Sequence, residues 1–433
     1  MNPITAGFIG IAALFLLLFM RTPVGFLMAI VGFLGFGFLV SFDAAKSLLA
    51  KDFIMVFGSY SLSVIPLFVL MGQVAFHSGI STRLFKAAYK CIGNIPGGLA
   101  IATIGACAGF SAICGSTNAT AATMAAATIP EMKRYNYKPG LATGVVAAGG
   151  SLGILIPPSV IFIVYGIMTE QSIGKLFIAG LLPGIILTLL FILSISVWTW
   201  LCPDIAPRGP KTTLREKLHS LKGISETFIV FSLVMGGLFI GMFTPTEAGA
   251  VGALGMIVLA FVRRKLSWDS FRKSLFETTR ISCMILVIVA GATIFGHFLA
   301  VTRIPYEVAY WISDSQLPPF VIVLLIILVY LIGGCFIDAL ALIMLTVPIF
   351  YPAIVEMGYD PLWFGVIIVL VTQIGVITPP VGINVYVVGS VARDVPLNVI
   401  FRGVIPLLIA LVIGTLILIP FPQITTCLPS LMG

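Results

Sequence analysis

The sequence predicts an all-α polytopic membrane protein with two inverted repeats, each containing five membrane crossings, one re-entrant hairpin and a broken helix. Three observations lead to this fold class: an apolar composition, an internal repeat and the distribution of charge among the loops. Of 433 residues, 59% are hydrophobic and only 9% are charged, against about 25% charged residues in an average soluble domain. So few charges cannot cover a surface in water, which excludes soluble enzymes, disordered chains and secreted disulfide scaffolds.

The net charge of +8 is interpreted as membrane topology, since Lys and Arg collect in cytoplasmic loops. No basic, aromatic-rich face for nucleic acid occurs in the sequence. The seven cysteines form no CxxC pair, and most lie in or at the ends of apolar stretches, which favours buried free thiols. The first apolar run, residues 4–20, lacks a basic n-region and a cleavage signal, so we expect it to be retained as a membrane span.

The chain resembles itself at an offset of about 222 residues. Five pairs of similar dipeptides occur in the same order in both halves: Thr22-Pro23 with Thr244-Pro245, Ala88-Tyr89 with Ala309-Tyr310, Ile129-Pro130 with Val347-Pro348, Pro157-Pro158 with Pro379-Pro380, and Leu182-Pro183 with Ile405-Pro406. Internal repeats of this kind are common in transporter folds. The sequence therefore predicts a first repeat over 1–201, a charged cytoplasmic linker over 202–223 and a second repeat over 224–433.

The loops around 83–90 and 131–138 are both basic, so both are assigned to the cytoplasmic side. An odd number of crossings between them would place them on opposite sides. We therefore interpret residues 95–130 as a hairpin that enters from the cytoplasm, turns near 115–118 and leaves by the same face. Its second arm, about 13 residues or about 20 Å long, is too short to cross a hydrocarbon core of about 30 Å. A turn inside the membrane has to contact protein or line a cavity.

The second repeat shows the same pattern with the opposite charge. Its equivalent hairpin, about 319–352, is flanked by acidic residues, so we expect it to enter from outside. With five crossings in each repeat, the odd number inverts the second repeat relative to the first and leaves both chain termini outside. A broken helix follows each hairpin, at about 139–168 and 362–391. Residues 266–280 mix basic and apolar side chains and are predicted to form a helix on the cytoplasmic surface.

Small and polar residues interrupt the apolar segments in four places, at the two hairpin turns and at the two diproline breaks. A Pro-Pro pair removes two backbone N–H donors and disfavours helix at the preceding residue, which frees carbonyl groups for a cation. Together with Ser, Thr and Asn oxygens, these carbonyls suit Na⁺, a hard ion. The helices that start after Asn118, Ser159, Asp338 and Val381 present free N–H groups and a positive dipole end to an anion.

Close packing is the alternative explanation for each of these residues taken alone, because Gly, Ala, Ser and Thr are common where transmembrane helices meet. The two explanations differ most at Asp338, the one acid that we place deep in an apolar segment. An intramembrane acid is a functional candidate, but Asp338 also suits the N-cap of the following helix, and capping is favoured. His77 and His297 are assigned to packing or to the membrane interface. No transition-metal site is expected.

Four segments are distinctive in combination: FSAICGSTNATAATM, AGGSLGILIPPSVIFIVYG, GGCFIDALALIMLTVPIFYP and TQIGVITPPVGINVYV. In these segments the chain resembles the large membrane (M) subunit of the tripartite ATP-independent periplasmic (TRAP) transporters, within the ion transporter superfamily. The resemblance covers essentially the whole chain. It implies sodium-driven uptake of an organic acid, such as a dicarboxylate or sialic acid, across the bacterial inner membrane. It also implies an elevator motion of the two hairpins and the two broken helices.

The resemblance implies two sodium sites, one in each repeat. The positions that match the first site are Gly115, Ser116, Asn118, Gly150, Gly153 and Pro157. The positions that match the second site are Gly334, Gly375, Thr378 and Val381. The remaining candidates, which we assign to the substrate, are Ser111, Thr117, Ser159, Asp338 and Asn384. Na⁺ is the only bound ion that these assignments require.

Two protein partners are implied, a periplasmic substrate-binding protein and a small four-helix membrane subunit. Because the chain starts at its own first span, we expect the small subunit to be a separate chain. A stand-alone sodium–carboxylate symporter of the same superfamily, which needs no binding protein, is the alternative within transport. An intramembrane hydrolase is a remote alternative, because the sequence has no HExxH motif and no paired intramembrane carboxylates. The identity of the organic acid, the number of Na⁺ ions per cycle and the oligomeric state stay open.

Overall fold

A computed structural model of the chain describes residues 2–18, 22–209, 212–221, 225–314 and 317–432. These residues form α-helices and short 3₁₀ turns, with no strand among them. The helices of the first half are α1 (Pro3–Leu18), α2 (Val24–Leu39), α3 (Phe42–Phe57), α4 (Val64–His77), α5 (Ile80–Ile92), α6 (Gly98–Cys114), α7 (Thr117–Arg134), α8 (Pro139–Ser151), α9 (Val160–Thr169) and α10 (Ile173–Leu201). The helices that follow are α11 (Leu214–Leu221), α12 (Ser225–Phe239), α13 (Pro245–Val262), α14 (Trp268–Thr302), α15 (Ile304–Asp314), α16 (Pro319–Gly334), α17 (Ala339–Glu356), α18 (Pro361–Ile377), α19 (Ile383–Val391), α20 (Leu397–Leu418) and α21 (Gln423–Thr426).

The helices of the two halves correspond in order. Each half has a helical hairpin, formed by α6 and α7 in the first and by α16 and α17 in the second. A helix interrupted at a diproline follows, α8 to α9 and α18 to α19, and then a long helix, α10 or α20. The Pro157-Pro158 and Pro379-Pro380 peptide bonds are both cis. The fold class predicted from the sequence, an all-α membrane protein of two repeats with hairpins and broken helices, is confirmed.

Contacts between the two halves are reciprocal. Three contacts between a helix of one half and a helix of the other each have a counterpart with the roles exchanged. The α2–α14 contact corresponds to the α13–α4 contact, and the α8–α20 contact corresponds to the α18–α10 contact. The α7–α19 contact corresponds to the α17–α9 contact. Such reciprocity relates the halves by a two-fold axis and not by a translation. A two-fold axis in the membrane plane inverts one repeat against the other, which is the arrangement of inverted-repeat transporters.

The two repeats differ at one helix. α3 and α4 form a pair bent by 54°, whereas the equivalent stretch of the second repeat is one helix of 35 residues, α14. Gly58 follows the end of α3, and the repeat offset places Arg280, a better helix former, at the corresponding position. The surface helix predicted over 266–280 is therefore not a separate element, because residues 268–280 are the first turns of α14. At about 50 Å long, α14 extends beyond a hydrocarbon core of about 30 Å.

Within the described part of the chain, 5 helices are long and apolar enough to cross a bilayer, or 6 if α3 and α4 count as one bent span. They include α17, the second arm of the second hairpin, so length and composition alone do not separate a crossing helix from a hairpin arm. The second arm of the first hairpin, α7, has 18 residues where about 13 were expected. The helix continues past Pro130 to Arg134, but at about 27 Å it is still shorter than the hydrocarbon core.

Glycine brings paired helices into backbone contact. A Cβ atom added to Gly25 of α2 would lie 2.8 Å from the Cα atom of Ile288 of α14, and one added to Gly291 would overlap the carbonyl oxygen of Gly25. The backbones of Gly144 in α8 and Gly403 in α20 abut in the same way. Lipid tails supply no hydrophobic driving force for helix association, so close packing at small residues has to provide it. These two contacts join the repeats.

The α2–α14 contact predicts a stability difference between two glycines of α14. Gly291→Ala is expected to destabilise the protein by about 1–3 kcal/mol through overpacking and to lower its apparent melting temperature in detergent. Gly296→Ala is the matched control, because a Cβ atom there meets nothing within 4 Å, and it is expected to leave the melting temperature unchanged or slightly raised. Equal melting temperatures for the two variants would contradict the close approach of α2 to α14.

Candidate functional site

Both hairpin turns and both helix breaks border one cavity of about 120 Å³. The first hairpin contributes the end of α6 and the start of α7, and the second contributes the start of α17. α4 and α14 close another side with Val69, Gln73, Ile281, Met284 and Ile285. The four polar clusters of the sequence are therefore neighbours in space.

Two residues, Gly115 and Ser116, make the first hairpin turn. Gly115 has a φ of +60°, a left-handed conformation that glycine adopts without steric cost. A Cβ atom at Gly115 would also overlap the carbonyl oxygen of Pro158. Ser116 is the N-cap of α7, and its hydroxyl oxygen accepts a hydrogen bond from Ala119 N at 3.4 Å. The shape of the turn therefore depends on its own backbone and on its contact with the diproline loop.

The first broken helix ends at Ser151, continues as one 3₁₀ turn, Leu152–Ile154, and starts again at Val160. Ser159 bridges the gap, because its hydroxyl donates to the carbonyl oxygen of Ile154 at 2.6 Å. Ser159 is fully buried and does not border the cavity. Its hydroxyl therefore holds the break together and does not reach the space in which the sequence interpretation put a substrate.

A close backbone contact joins the hairpin and the break in both repeats, although it does not involve equivalent hairpin residues. A Cβ atom at Gly153 would lie 2.6 Å from the carbonyl oxygen of Ser116. One at Gly375, the equivalent residue of the second repeat, would overlap the carbonyl group of Gly334 at the second turn. Only glycine allows this approach without displacing backbone. Each contact sets a main-chain carbonyl of a hairpin turn against the middle of a broken helix.

Asp338 caps the second arm of the second hairpin. Its Oδ1 atom accepts a hydrogen bond from Leu340 N at 3.0 Å, so the capping role favoured by the sequence is confirmed. Asp338 is also exposed and borders the cavity. The carboxyl group of Asp338 therefore borders the cavity while it satisfies the first free N–H group of α17.

The second break is more open than the first. Pro157-Pro158 is buried, whereas Pro379-Pro380 is exposed. Thr378 follows the end of α18, and its hydroxyl donates to the carbonyl oxygen of Ile374 at 2.6 Å. Gly382, with a φ of +57°, leads into α19. The two breaks therefore have a similar sequence pattern but differ in exposure. The first break is enclosed by protein, and the second reaches the protein surface.

The predicted site residues fall into three groups. Those that border the cavity are Gly115, Ser116, Thr117, Asn118 and Asp338. Those in the breaks or in the contacts between turns and breaks are Gly150, Gly153, Pro157, Gly334, Gly375, Thr378 and Val381. Those fully buried away from the cavity are Ser111, Ser159 and Asn384. The cavity therefore brings together the two hairpin turns, and of the predicted ion ligands it is bordered by Gly115, Ser116 and Asn118.

Gln73 borders the cavity and was missed by the sequence interpretation. It is buried in α4, a helix whose other residues are almost all apolar. A single polar residue in such a segment was the available signal. The apolar residues of α14 that share this wall carried no signal, because their pattern is that of any lipid-facing or packed helix.

Asp52 is a buried acid that the sequence interpretation missed. Its Oδ2 atom lies 3.4 Å from His297 Nε2 of α14, and the residue is 4% exposed. Ala45, Asp52 and Val56 occupy the buried face of α3 at helical spacing. Asp338 is therefore not the only acid inside the fold, and His297 pairs with a carboxylate in addition to packing.

Ser151 has the surroundings of a structural residue and not of a nucleophile. Residues 149–153 have the GxSxG spacing of hydrolases. The Ser151 hydroxyl, however, donates to the carbonyl oxygen of Ala148 at 2.6 Å and accepts from Gln373 Nε2 at 2.8 Å. Neither partner is a base that could activate a nucleophile. Within the described residues, no group of three His, Cys, Asp or Glu side chains could hold a metal ion.

An exposed ion pair joins the repeats at the end of α7. Lys133 Nζ lies 2.6 Å from Asp394 Oδ1, in the loop after α19. The hydrogen bond from Lys133 holds the pKa of the Asp394 carboxyl below its usual range. Exposed pairs contribute little to stability, so the pair mainly orients α7 relative to the loop after α19.

Comparison with known proteins identifies the family. The family model described as "Tripartite ATP-independent periplasmic transporter, DctM component" matches residues 11–424. The chain belongs to this TRAP transporter family. It is 38% identical to the C4-dicarboxylate TRAP transporter large permease protein DctM of Pseudomonas aeruginosa, over 91% of this chain and 92% of that protein. It is 36% identical to the sialic acid TRAP transporter large permease protein SiaM of Vibrio cholerae, over 96% of both.

Two further likenesses concern length and fold. The isethionate TRAP transporter permease protein DctMQ of Oleidesulfovibrio alaskensis is 37% identical over 86% of this chain, but the match covers only 58% of that protein. The crystal structure of the YdaH transporter of Alcanivorax borkumensis superposes with a TM-score of 0.67 and 16% identity, covering 88% of this chain and 89% of that one. At this identity the superposition establishes the fold alone.

Membership of the TRAP family settles the class of protein. The chain is a multi-pass membrane permease of a transport system and not an enzyme. The large permease is one part of a tripartite system, in which it works with a small membrane subunit and a periplasmic binding protein. The resemblance to TRAP large membrane subunits in the four sequence segments is confirmed.

The capping role of Asp338 predicts that its acceptor oxygen matters for stability. Asp338→Ala is expected to cost about 1 kcal/mol and to lower the apparent melting temperature, whereas Asp338→Asn keeps an acceptor oxygen and is expected to retain stability. Asp360→Ala is the matched control for the loss of a helix cap, because Asp360 caps α18 by accepting hydrogen bonds from Leu362 N and Trp363 N. Asp360 does not border the cavity. If Asp338→Ala and Asp338→Asn melt at the same temperature, the cap does not stabilise α17.

Proposed function

We propose that this chain is the large permease of a sodium-coupled system that takes up an organic acid anion across the bacterial inner membrane. The substrate arrives on a periplasmic binding protein, a separate small four-helix subunit assembles with the permease, and both chain termini lie in the periplasm. The observation that carries the proposal is the repeated contact of a hairpin turn with a broken helix, Gly153 on Ser116 and Gly375 on Gly334, beside one shared cavity.

The repeated contact supports the two sodium sites. In each repeat a main-chain carbonyl of the turn stands against a helix break, where further carbonyl groups and a hydroxyl are close in sequence. Oxygen ligands of this type suit a hard cation, and non-helical backbone at membrane depth is tolerated where it is enclosed by protein. The first set is Gly115, Ser116, Asn118, Gly150, Gly153 and Pro157. The second set is Gly334, Gly375, Thr378 and Val381.

The cavity between the turns supports an anionic substrate. α7 and α17 both begin at its edge, and helix starts present N–H groups and a positive dipole end to an anion. Thr117 and Asn118 add a hydroxyl and an amide at the start of α7. The names of the relatives refer to C4-dicarboxylate, sialic acid, isethionate and 2,3-diketo-L-gulonate, all of which are organic anions.

An elevator motion is supported by the division of contacts. The hairpins and broken helices pack on one another and on α10 and α20, while α2, α4, α13 and α14 form a second set of mutual contacts. Where the two sets meet at the cavity, α14 presents Ile281, Met284 and Ile285. These apolar side chains of α14 form a smooth contact surface along which one body can slide past the other.

The proposal is tested by uptake into proteoliposomes that contain this chain and the small subunit encoded with it. Uptake of the ligand bound by the cognate periplasmic protein is expected only with that protein outside and an inward Na⁺ gradient. Replacing Na⁺ by K⁺ is expected to abolish uptake. Uptake of free substrate without the soluble protein would instead support a stand-alone sodium–carboxylate symporter. Uptake that does not depend on Na⁺ would overturn sodium coupling.

The second sodium site predicts the effect of two substitutions. Thr378→Ala removes a hydroxyl ligand, and Gly375→Ala pushes the break away from Gly334. Each is expected to raise the Na⁺ concentration for half-maximal uptake about tenfold, the equivalent of about 1.4 kcal/mol. Thr415→Ala is the control and is expected to keep the wild-type Na⁺ dependence. The Thr415 hydroxyl makes the same type of hydrogen bond within its own helix, to Leu411 O at 2.9 Å, and Thr415 lies far along α20. Unchanged Na⁺ dependence in both site variants would remove this site.

A further inference from the structure

Ser151 and Gln373 are equivalent residues of the two repeats, and they are hydrogen-bonded to each other. They lie 222 positions apart, which is the offset of the internal repeat, and Gln373 Nε2 donates to Ser151 Oγ at 2.8 Å. Two residues related by a two-fold axis can touch only close to that axis. This bond therefore lies on the pseudo-two-fold axis, where the two broken helices meet.

Both side chains are fully buried, and their bonding is sparse. The single proton of the Ser151 hydroxyl goes to Ala148 O at 2.6 Å, so its oxygen is left to accept from the amide. Gln373 Oε1 has no hydrogen-bond partner within the described residues. The bond to Ser151 is therefore the main constraint on the Gln373 amide, and a buried amide that loses it is left unpaired at a substantial cost.

The bond connects the two contacts between turns and breaks. Ser151 is the last residue of α8 and precedes by two positions Gly153, which touches the first hairpin turn. Gln373 precedes by two positions Gly375, which touches the second hairpin turn. A 3₁₀ turn connects Ser151 to Gly153, and a helical turn connects Gln373 to Gly375. Both connections are short and stiff. A displacement of one break can therefore reach the other through this bond, alongside the hydrogen bond from Asn384 Nδ2 to Ala147 O at 3.0 Å, which also joins the two broken helices.

We propose that the Ser151–Gln373 bond couples the two cation sites, so that occupation of one site favours occupation of the other. The inference rests on the proposed function, because it requires two sodium sites. Neither residue borders the cavity, and both act as positioning residues that set the breaks and do not ligate the ion. By linkage the coupling is reciprocal, and each site strengthens the other by the same factor.

The test measures how steeply uptake depends on Na⁺ in the three-component proteoliposomes. The wild-type chain is expected to show a Hill coefficient well above 1. Ser151→Ala and Gln373→Met each remove the bond at nearly constant volume and are expected to lower the Hill coefficient below the wild-type value, towards that of two independent sites that must both be filled, with a rise of about fivefold or more in the half-maximal Na⁺ concentration. The double variant is expected to match the single variants, because both remove the same bond.

Two controls separate coupling from general damage. Ser151→Thr keeps a hydroxyl oxygen and is expected to keep the wild-type Hill coefficient. Thr143→Val removes another fully buried hydroxyl of α8 that bonds only within its own helix, to Pro139 O at 2.7 Å, and is also expected to keep it. If Gln373→Met is not recovered folded, Gln373→Asn, whose amide is one methylene too short to reach Ser151, replaces it.

The outcomes distinguish the inference from the proposed function. Folded Ser151→Ala and Gln373 variants with a wild-type Hill coefficient would overturn the coupling, and so would a wild-type chain that depends on Na⁺ without cooperativity. Neither result would affect sodium-driven uptake. A wild-type chain that does not depend on Na⁺ at all would overturn the proposed function, and the inference with it.

Discussion

The fold depends on one constraint, that backbone polar groups inside a bilayer must be paired or enclosed by protein. Two hairpin turns and two interrupted helices violate helical pairing at membrane depth, and each is stabilised only by contact with another. The turn at Gly115 lies against Pro158, and Gly153 lies against the turn. Ser116, Asp338 and Ser159 satisfy local backbone groups with their side chains. The site is therefore the place where irregular segments protect one another from lipid.

The two-fold relation has consequences beyond architecture. It gives each repeat a contact between hairpin and break and places both contacts beside one cavity, so each repeat supplies one side of the site. It also brings equivalent residues into contact on the axis, which a single repeat could not do. The departures from symmetry are local. The bend between α3 and α4 has no counterpart in α14, and one diproline is buried while the other is exposed.

Charge inside this fold is rare, and each case has a partner of a different kind. Asp338 is paired with backbone N–H groups at a helix start, whereas Asp52 lies beside an imidazole of another helix. The same residue type therefore serves as a cap in the moving part of the proposed mechanism and as a link between α3 and α14 elsewhere. Outside the apolar region, Lys133 and Asp394 join the two repeats where water screens the pair.

The sequence by itself determined the membrane class, the repeat, the hairpins and the position of the breaks. Composition, the 222-residue offset and the loop charges are patterns that do not depend on distant contacts. Gly115, Ser116 and the diprolines were identifiable for the same reason, since turns and breaks require particular residue types locally. Only the tertiary structure showed that the Ser159 hydroxyl bridges its own helix break and that Asp52 is buried beside His297. It also showed that α14 is one continuous helix and that Ser151 is hydrogen-bonded to Gln373. These outcomes depend on which faces of distant helices pack together, and helices that are apolar on every side carry no periodic signal for that choice.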